Sequence, residues 1–364
     1  MKTAILITTI SNFGNQTFYH SQETGLAKTL ARFGYTVTIY KLSEQPQPTQ
    51  IINENVSVKF IVGKSIGING FFPPKHIDND ITALIHFSDT QFSVPTVYRY
   101  CKKQGINYIP YIGVIRSHSN NAVIRKITNF LFLRNRKIYQ KCVCLAKTPS
   151  VKEQLKKIRI TNTKLAPVGL DMEILKNNYQ NYSVRMLKEK YGYRTDEKII
   201  LFSGRMTKEK NPLLMLKIFS DILKTDSRYR LIMIGSGELE NAVRTEIQRL
   251  NLENAVRMIS KVPNAEMWEL YRIADCFVNL NRNEIFGMSV LEAMYYGCKV
   301  VAFHTFGTDF IIENKINGYL VSDKTEMEHC ICHMPPLSEN AHNRIVHHFT
   351  WQTTAEIIHQ IITD

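Results

Sequence analysis

Acidic residues are nearly absent from the first half of this 364-residue chain. Residues 1–170 hold 7 Asp and Glu against 23 Lys and Arg, whereas residues 171–364 hold 25 against 23. The net charge of +14 is thus confined to the first half, and it points to an anionic partner for that half alone. Long apolar runs are lacking too: none approaches the roughly 20 residues that cross a bilayer. Internal repeats and low-complexity tracts are missing, and 44% apolar with 21% charged residues argues against extended disorder. The seven scattered cysteines, an odd number, exclude a disulfide framework and suit a reducing compartment. Cys142-Val143-Cys144 and Cys330-Ile331-Cys332-His333 are spaced C-x-C, not C-x-x-C, so zinc is not expected. Asp78-Asn79-Asp80 precedes a strand where a metal-binding D-x-D would follow one; it reads as a solvated loop, and no metal is expected. Met1 to Ile10 is short and has no small-residue cleavage site. It reads as a first strand running into the glycine turn Ser11-Asn12-Phe13-Gly14-Asn15, not as a signal peptide.

What is present is an alternation of strand and helix patterns, twice over. At this length two domains are the default. In the first half strands are predicted at Thr3–Thr9, Thr36–Tyr40, Val56–Val62, Thr82–Phe87, Asn107–Gly113 and Cys142–Ala146. Phe18 to Phe33 reads as a helix, with Leu26, Leu30 and Phe33 on one face and Gly34 ending it. The pattern restarts with strand Lys198–Ser203 and helix Pro212–Leu223. Strands at Leu231–Ile234, 255–259, 276–280 and 299–303 follow, separated by helices at 239–249, 265–273 and 287–296. The boundary is placed at Pro167–Asp171, giving domains 1–170 and 171–345 and a helical tail, 346–364. Such alternation predicts two doubly wound parallel sheets, with ligands in the cleft at the carboxyl ends of their strands.

The chemistry concentrates in two stretches of the second half. Gly204-Arg205-Met206-Thr207-Lys208-Glu209-Lys210 follows a strand, so Arg205 and Lys210 project from its carboxyl end. Fixed cations there can stabilise a departing diphosphate without a metal. Read alone, the loop is equally a basic cap on a Rossmann-like strand. Downstream, Glu284-Ile285-Phe286-Gly287-Met288-Ser289-Val290-Leu291-Glu292 puts two carboxylates eight positions apart around a glycine and a helix start. Gly287 permits close backbone approach, and the helix offers free N–H groups to phosphate. Glu292 shares a helical face with Met288, which suits a ribose diol at the helix N-terminus. The plain alternative is two acids favoured there by the helix dipole.

Together with Asn211-Pro212, Gly235-Ser236-Gly237, Leu270-Tyr271, Ala274-Asp275, Ala293-Met294, Gly297, Val300-Val301-Ala302 and Asn317-Gly318, these residues carry a resemblance. Residues 198–322 closely resemble the retaining family 4 glycosyltransferases of the GT-B fold; the first half matches loosely. The resemblance implies two Rossmann-like domains facing across a cleft, with a C-terminal helix around Phe349-Thr350-Trp351 crossing back to the first. It implies that Arg205 and Lys210 bind the donor diphosphate, Glu292 the ribose, and Glu284 hydroxyls of the transferred sugar. The main chain of Phe286, Gly287 and Met288 would line the pocket, the base would lie near Ile259 and Lys261, and Gly14 would approach the phosphates. A first-domain histidine often sits near the sugar; His118 is the first candidate and His86 its rival. Arg205, Lys210, Glu284 and His118 form the expected catalytic set. The paired glycines usual in the first loop are replaced by Asn12-Phe13-Gly14-Asn15. The late G-G-x-P-E loop appears as Phe306-Gly307-Thr308-Asp309, which leaves sugar specificity open.

Residues 121–141 contain Arg125, Lys126, Arg134, Arg136, Lys137 and Lys141 with no acid, interleaved with Ile127, Phe130, Leu131, Phe132 and Leu133. That composition suits an anionic bilayer or a lipid-linked acceptor; a helix packed on the sheet with a solvated basic face is the alternative. Nothing resembles a nucleic-acid module. The expectation is a metal-independent, retaining transferase without cofactor. It would take a nucleotide sugar, UDP favoured over GDP, and a glycan or lipid-linked glycan acceptor, at the inner face of a membrane in the cytoplasm. The alternatives are a soluble transferase for protein or small molecules, and a non-catalytic partner subunit.

Overall fold

The computed structural model of the protein describes residues 1–7, 22–66, 69–115, 122–172, 175 and 182–364. Gly14 and His118 lie outside the described residues. The chain divides into two compact units. The first combines the described residues up to Asp171 with Thr350–Asp364, and the second holds residues from Met172 to Phe349.

In the first unit the strands are β1 (Lys2–Ile7), β2 (Thr36–Ser43), β3 (Gln50–Asn53), β4 (Val56–Val62), β5 (Lys64–Ile66), β6 (Asn69–Phe71), β7 (Ala83–Phe87), β8 (Asn107–Ile112), β9 (Cys144–Ala146) and β10 (Thr163–Leu165). Eight of them form a sheet in the order β10-β9-β8-β7-β1-β2-β4-β3, parallel except for β3 at the edge. Strand β1 is central, and the order runs outward from it in both directions. Its residues Ala4, Ile5 and Leu6 are buried without alternation, as expected where helices cover both faces of a parallel sheet.

The tail helix Trp351–Thr363 belongs to this first unit. Two glycines make room for it. A methyl on Gly25, in the helix Gln22–Arg32, would lie 2.4 Å from Trp351 Nε1. One on Gly169 would lie 2.2 Å from the Trp351 backbone nitrogen. Thr354 Oγ1 donates to the Pro167 carbonyl, Tyr35 Oη pairs with His359 Nδ1 at 2.8 Å, and Leu170 bridges Thr350 in parallel. Two helices therefore follow one another here, Ser338–His348 and Trp351–Thr363. Ser338–His348 stays with the second unit, and the break at Phe349-Thr350 is where the chain returns to the first.

The second unit is a six-stranded parallel sheet of β11 (Lys198–Ser203), β12 (Tyr229–Ile234), β13 (Val256–Ile259), β14 (Cys276–Asn279), β15 (Lys299–Phe303) and β16 (Tyr319–Val321). Their order is β13-β12-β11-β14-β15-β16. Numbered from β11, this is 3-2-1-4-5-6, the Rossmann winding. Its direction reverses between β11 and β14, which pair through Ile200 with Cys276 and Leu201 with Phe277. Helices begin where caps dictate. Pro212 opens one at its first position, Asp323 accepts from the Glu326 amide, and Thr305 forms a capping box with Thr308.

Candidate active site

The winding puts two loops side by side at the carboxyl edge of the second sheet: one leaves β11, the other leaves β14. Open parallel sheets bind ligands at such a switch point. Glycines let the neighbouring loop close on the first. A methyl on Gly235 (φ +132°) would lie 2.0 Å from the Gly204 carbonyl oxygen, and one on Gly237 2.6 Å from that of Met206. The Met206 amide donates to Ser236 O at 2.9 Å. Asn211 turns the chain through the left-handed region (φ 55°) and donates from Nδ2 to Leu280 O at 2.8 Å, tying the two loops together.

That tie brings Lys210 to Glu284. Their Nζ and Oε2 atoms are 2.8 Å apart, with side chains 22% and 14% exposed. Asn281 and Asn279 donate to the same oxygen at 3.1 and 3.4 Å. Burial works against the Glu284 charge, but the attraction and hydrogen bond of Lys210, helped by the two asparagines, hold its carboxyl below the usual range. Asn279 Oδ1 accepts from the Asn281 amide and Asn281 Oδ1 from the Asn283 amide, each at 2.9 Å, so consecutive Asx turns shape the loop. Arg205 is different: its side chain is 71% exposed, and its nearest carboxylate, Glu209, is 4.0 Å away.

Beyond Glu284 the chain reaches Gly287, at φ +99°, and the helix Met288–Tyr295. The first amides to bond within it are those of Val290 and Leu291, both to Gly287 O, so those of Met288 and Ser289 precede the ladder. Phe286 is buried against Phe310 and Phe349, which fixes its main chain. The Gly307 amide donates to Glu284 O, and a methyl there would meet Phe286 O at 2.7 Å. Glu292 is partly exposed. Its Oε2 accepts from Tyr271 Oη at 2.8 Å, and burial pushes its carboxyl up to about 7, against the hydrogen bond. At the end of β13, Ile259 O accepts from the Gly235 amide, and Lys261 lies on the loop that follows. Ser260 Oγ donates to Glu240.

The structure thus brings Lys210 onto Glu284, with Phe286, Gly287, Met288 and Glu292 on the chain that follows and Ile259 and Lys261 on the same sheet edge. Sequence reasoning assigned no role to Asn279, Asn281 or Tyr271. The N-x-N-x-N run at a strand end was a readable signal for the first two. In the first unit His86 is fully buried on β7, bonded through Nδ1 to Tyr108 Oη at 2.7 Å. Burial pushes its pKa down to about 3, so it is neutral, and its Nε2 has no partner among the described residues. Asp78 and Asp80 are paired with Lys59 and Lys2. Among the described residues no cluster of three or more His, Cys, Asp or Glu could hold a metal, and no helix is long and apolar enough to cross a membrane.

Arg125, Lys126, Arg134, Arg136 and Lys137 lie on the helix Ala122–Tyr139. Val123, Ile127, Phe130 and Leu133 on this helix are exposed, Phe130 by 70%, while Phe132, Asn135 and Tyr139 are buried. Asn135 Nδ2 donates to Gln91 O at 2.9 Å.

Solved structures share this architecture across the whole chain. Sucrose-phosphate synthase from Thermosynechococcus elongatus aligns with a TM-score of 0.80 at 15% identity, covering 100% of this chain and 98% of that one. Anabaena HepE, solved in complex with UDP, aligns with a TM-score of 0.76 at 15% identity over 100% of both chains. The fold is that of the GT-B glycosyltransferases. Residues 184–334, most of the second unit, match the family model described as glycosyl transferases group 1. Among curated relatives, alpha-monoglucosyldiacylglycerol synthase of Streptococcus pneumoniae is 22% identical over 206 residues, 55% of this chain and 47% of that protein. The chain spans about half the length of the curated relatives it matches first.

Proposed function

We propose that this chain is a hexosyltransferase that moves a sugar from a nucleoside-diphosphate donor to a glycan acceptor, with retention and without a metal. The observation that carries the reading is the part-buried Lys210–Glu284 pair at the switch point of a group 1 domain. Lys210 and Arg205 neutralise the charge that grows on the diphosphate as the sugar bond breaks. Glu284 accepts from sugar hydroxyls, and Glu292 from the ribose diol. The leaving phosphate oxygen takes the proton of the acceptor hydroxyl on the same face of the sugar. A UDP donor is favoured by the UDP complex of a protein with the same fold. His118 is the first-unit candidate beside the sugar, since His86 is sealed in the core.

The acceptor we assign is lipid-linked, at an anionic membrane surface. The support is the helix Ala122–Tyr139, where four exposed apolar side chains accompany Lys126, Arg134 and Lys137. A relative's name, alpha-monoglucosyldiacylglycerol synthase, is that of a glycolipid enzyme and agrees with this choice. The test is a thermal-shift screen against UDP, GDP, ADP and their sugars, with and without EDTA. A shift by one diphosphate that survives EDTA and is lost in Lys210→Ala supports the donor site. No shift with any of them returns the chain to the class of non-catalytic subunits.

A further inference from the structure

We propose that Tyr271 is a positioning residue for donor binding: its hydroxyl holds one oxygen of Glu292, so that the carboxylate meets both hydroxyls of the donor ribose. The inference rests on the assignment of Glu292 to the ribose. Tyr271 is 2% exposed and lies in the last turn of the helix Asn264–Ile273, one helix away from the acid it serves. Its ring is stacked on Tyr296 at 11° with centroids 5.9 Å apart, and it packs on Phe277 at 57° and 5.9 Å. Its backbone carbonyl accepts from Cys298 Sγ at 2.8 Å. Ring and backbone are thus fixed on three sides, and the hydroxyl is delivered 2.8 Å from Glu292 Oε2.

A carboxylate oxygen has two lone-pair sites. With one of those on Oε2 taken by Tyr271, the other and those of Oε1 remain for the two ribose hydroxyls. The bond also keeps the acid usable. Burial pushes the carboxyl up to about 7 and Tyr271 pulls the other way. A protonated carboxyl has lost an acceptor site and fits a diol poorly. Several titratable groups on the elements packed against the Glu292 helix have their own partners, while Glu339, His347 and His348 share the helix Ser338–His348 with His342. Glu269 pairs with Lys190, Asp309 with His304, Arg344 with Glu313, and Lys299 with two carbonyls. His342 Nδ1 pairs with Tyr295 O, and Cys276 is a buried thiol pushed up to about 12. Glu266 and Arg272 ride on the Tyr271 helix itself.

The experiment is titration of the purified chain with the diphosphate that binds it, and with the 2′-deoxy form, across pH 5.5 to 8.5, in wild type, Tyr271→Phe and Glu292→Gln, each affinity being corrected for the ligand's own terminal-phosphate ionisation at about pH 6. Phenylalanine keeps the ring stack and removes the hydroxyl alone. The expected result is a wild-type affinity that rises with pH through about 7. In Tyr271→Phe that rise moves upward by about one pH unit, affinity at pH 7 falls roughly fivefold, and discrimination against the 2′-deoxy form shrinks. In Glu292→Gln the rise disappears. A Tyr271→Phe protein that melts like wild type and keeps both the pH profile and the discrimination overturns the inference and leaves the donor site standing. A wild type that binds no diphosphate overturns both. If Tyr271→Phe does not fold, loss of the pH rise in Glu292→Gln together with its loss of 2′-deoxy discrimination supports the acid's role, and retention of either counts against it.

Discussion

The two units wind their sheets alike but finish the carboxyl edges differently. In the second unit that edge is polar and paired: Lys210, Glu284, Asn279 and Asn281 converge within 3.4 Å of one another's partners, and glycines close the loops around them. In the first unit the strand ends β7, β8 and β9 lead to Phe87, Tyr111 and Lys147, whose ammonium lies 4.9 and 5.1 Å from the two ring centroids. Asp89 there, at φ 33°, spends Oδ1 on the amides of Gly113 and Val114. A shared winding therefore does not carry a shared site. The second edge is built around charge-assisted bonds, which suit a ligand of constant chemistry. The first offers a cation on aromatic rings, in a unit whose charge is strongly positive.

The comparison can be broken unit by unit. The largest effect is expected from Trp351→Ala, which removes a buried aromatic from the first unit and should cost about 3–5 kcal/mol in urea unfolding. Nucleoside-diphosphate binding by the second unit should survive under folding conditions. Lys210→Ala is the converse. It strips the part-buried Glu284 of its cation, and transfer should fall at least about a hundredfold at unchanged far-UV spectrum. Gly25→Ala should cost about 1–3 kcal/mol by crowding Trp351, and almost nothing in the Trp351→Ala background, which a double-mutant cycle would register. Neutralising Arg134 and Lys137 with glutamine should weaken binding to anionic vesicles by roughly fivefold per charge, and leave neutral vesicles unaffected. The last effect is read against pH and concerns Glu292. Its folded pKa of about 7 lies above its ordinary 4.5, so the folded protein holds the extra proton between those values. Stability should then decline as pH rises through that window, and Glu292→Gln should flatten the slope in pH-dependent melting.

Much of this was legible in the residues. The central strands of both sheets are unbroken apolar runs, and six-residue β11 reads as a strand without help. Edge strands such as β5, β6, β10 and β16 have three residues each, too few for any period to register. Lys210 and Glu284 could be named from motif, but not the bond between them, because the Asn211 turn that joins their loops is a matter of backbone conformation. His86 was a fair rival at a strand end until its burial beneath Tyr108 was visible. The resemblance placed the start of the returning helix at 346, but its exact break at Phe349-Thr350 was not readable, since both flanking segments are helical and the break depends on which unit each packs against.

That split has a consequence for synthesis. The first unit is begun first on the ribosome, yet Gly25 waits for the Trp351 indole and Gly169 for the Thr350–Trp351 backbone, made some 180 residues after Gly169. The second unit, whose residues are contiguous from Met172 to Phe349, is complete before Trp351 emerges. Order of folding is thereby uncoupled from order of translation: the unit nearest the start must hold an open seam, with apolar surface uncovered, until the last helix is released. A chain truncated after Phe349 would carry the whole second unit attached to an unfinished first one.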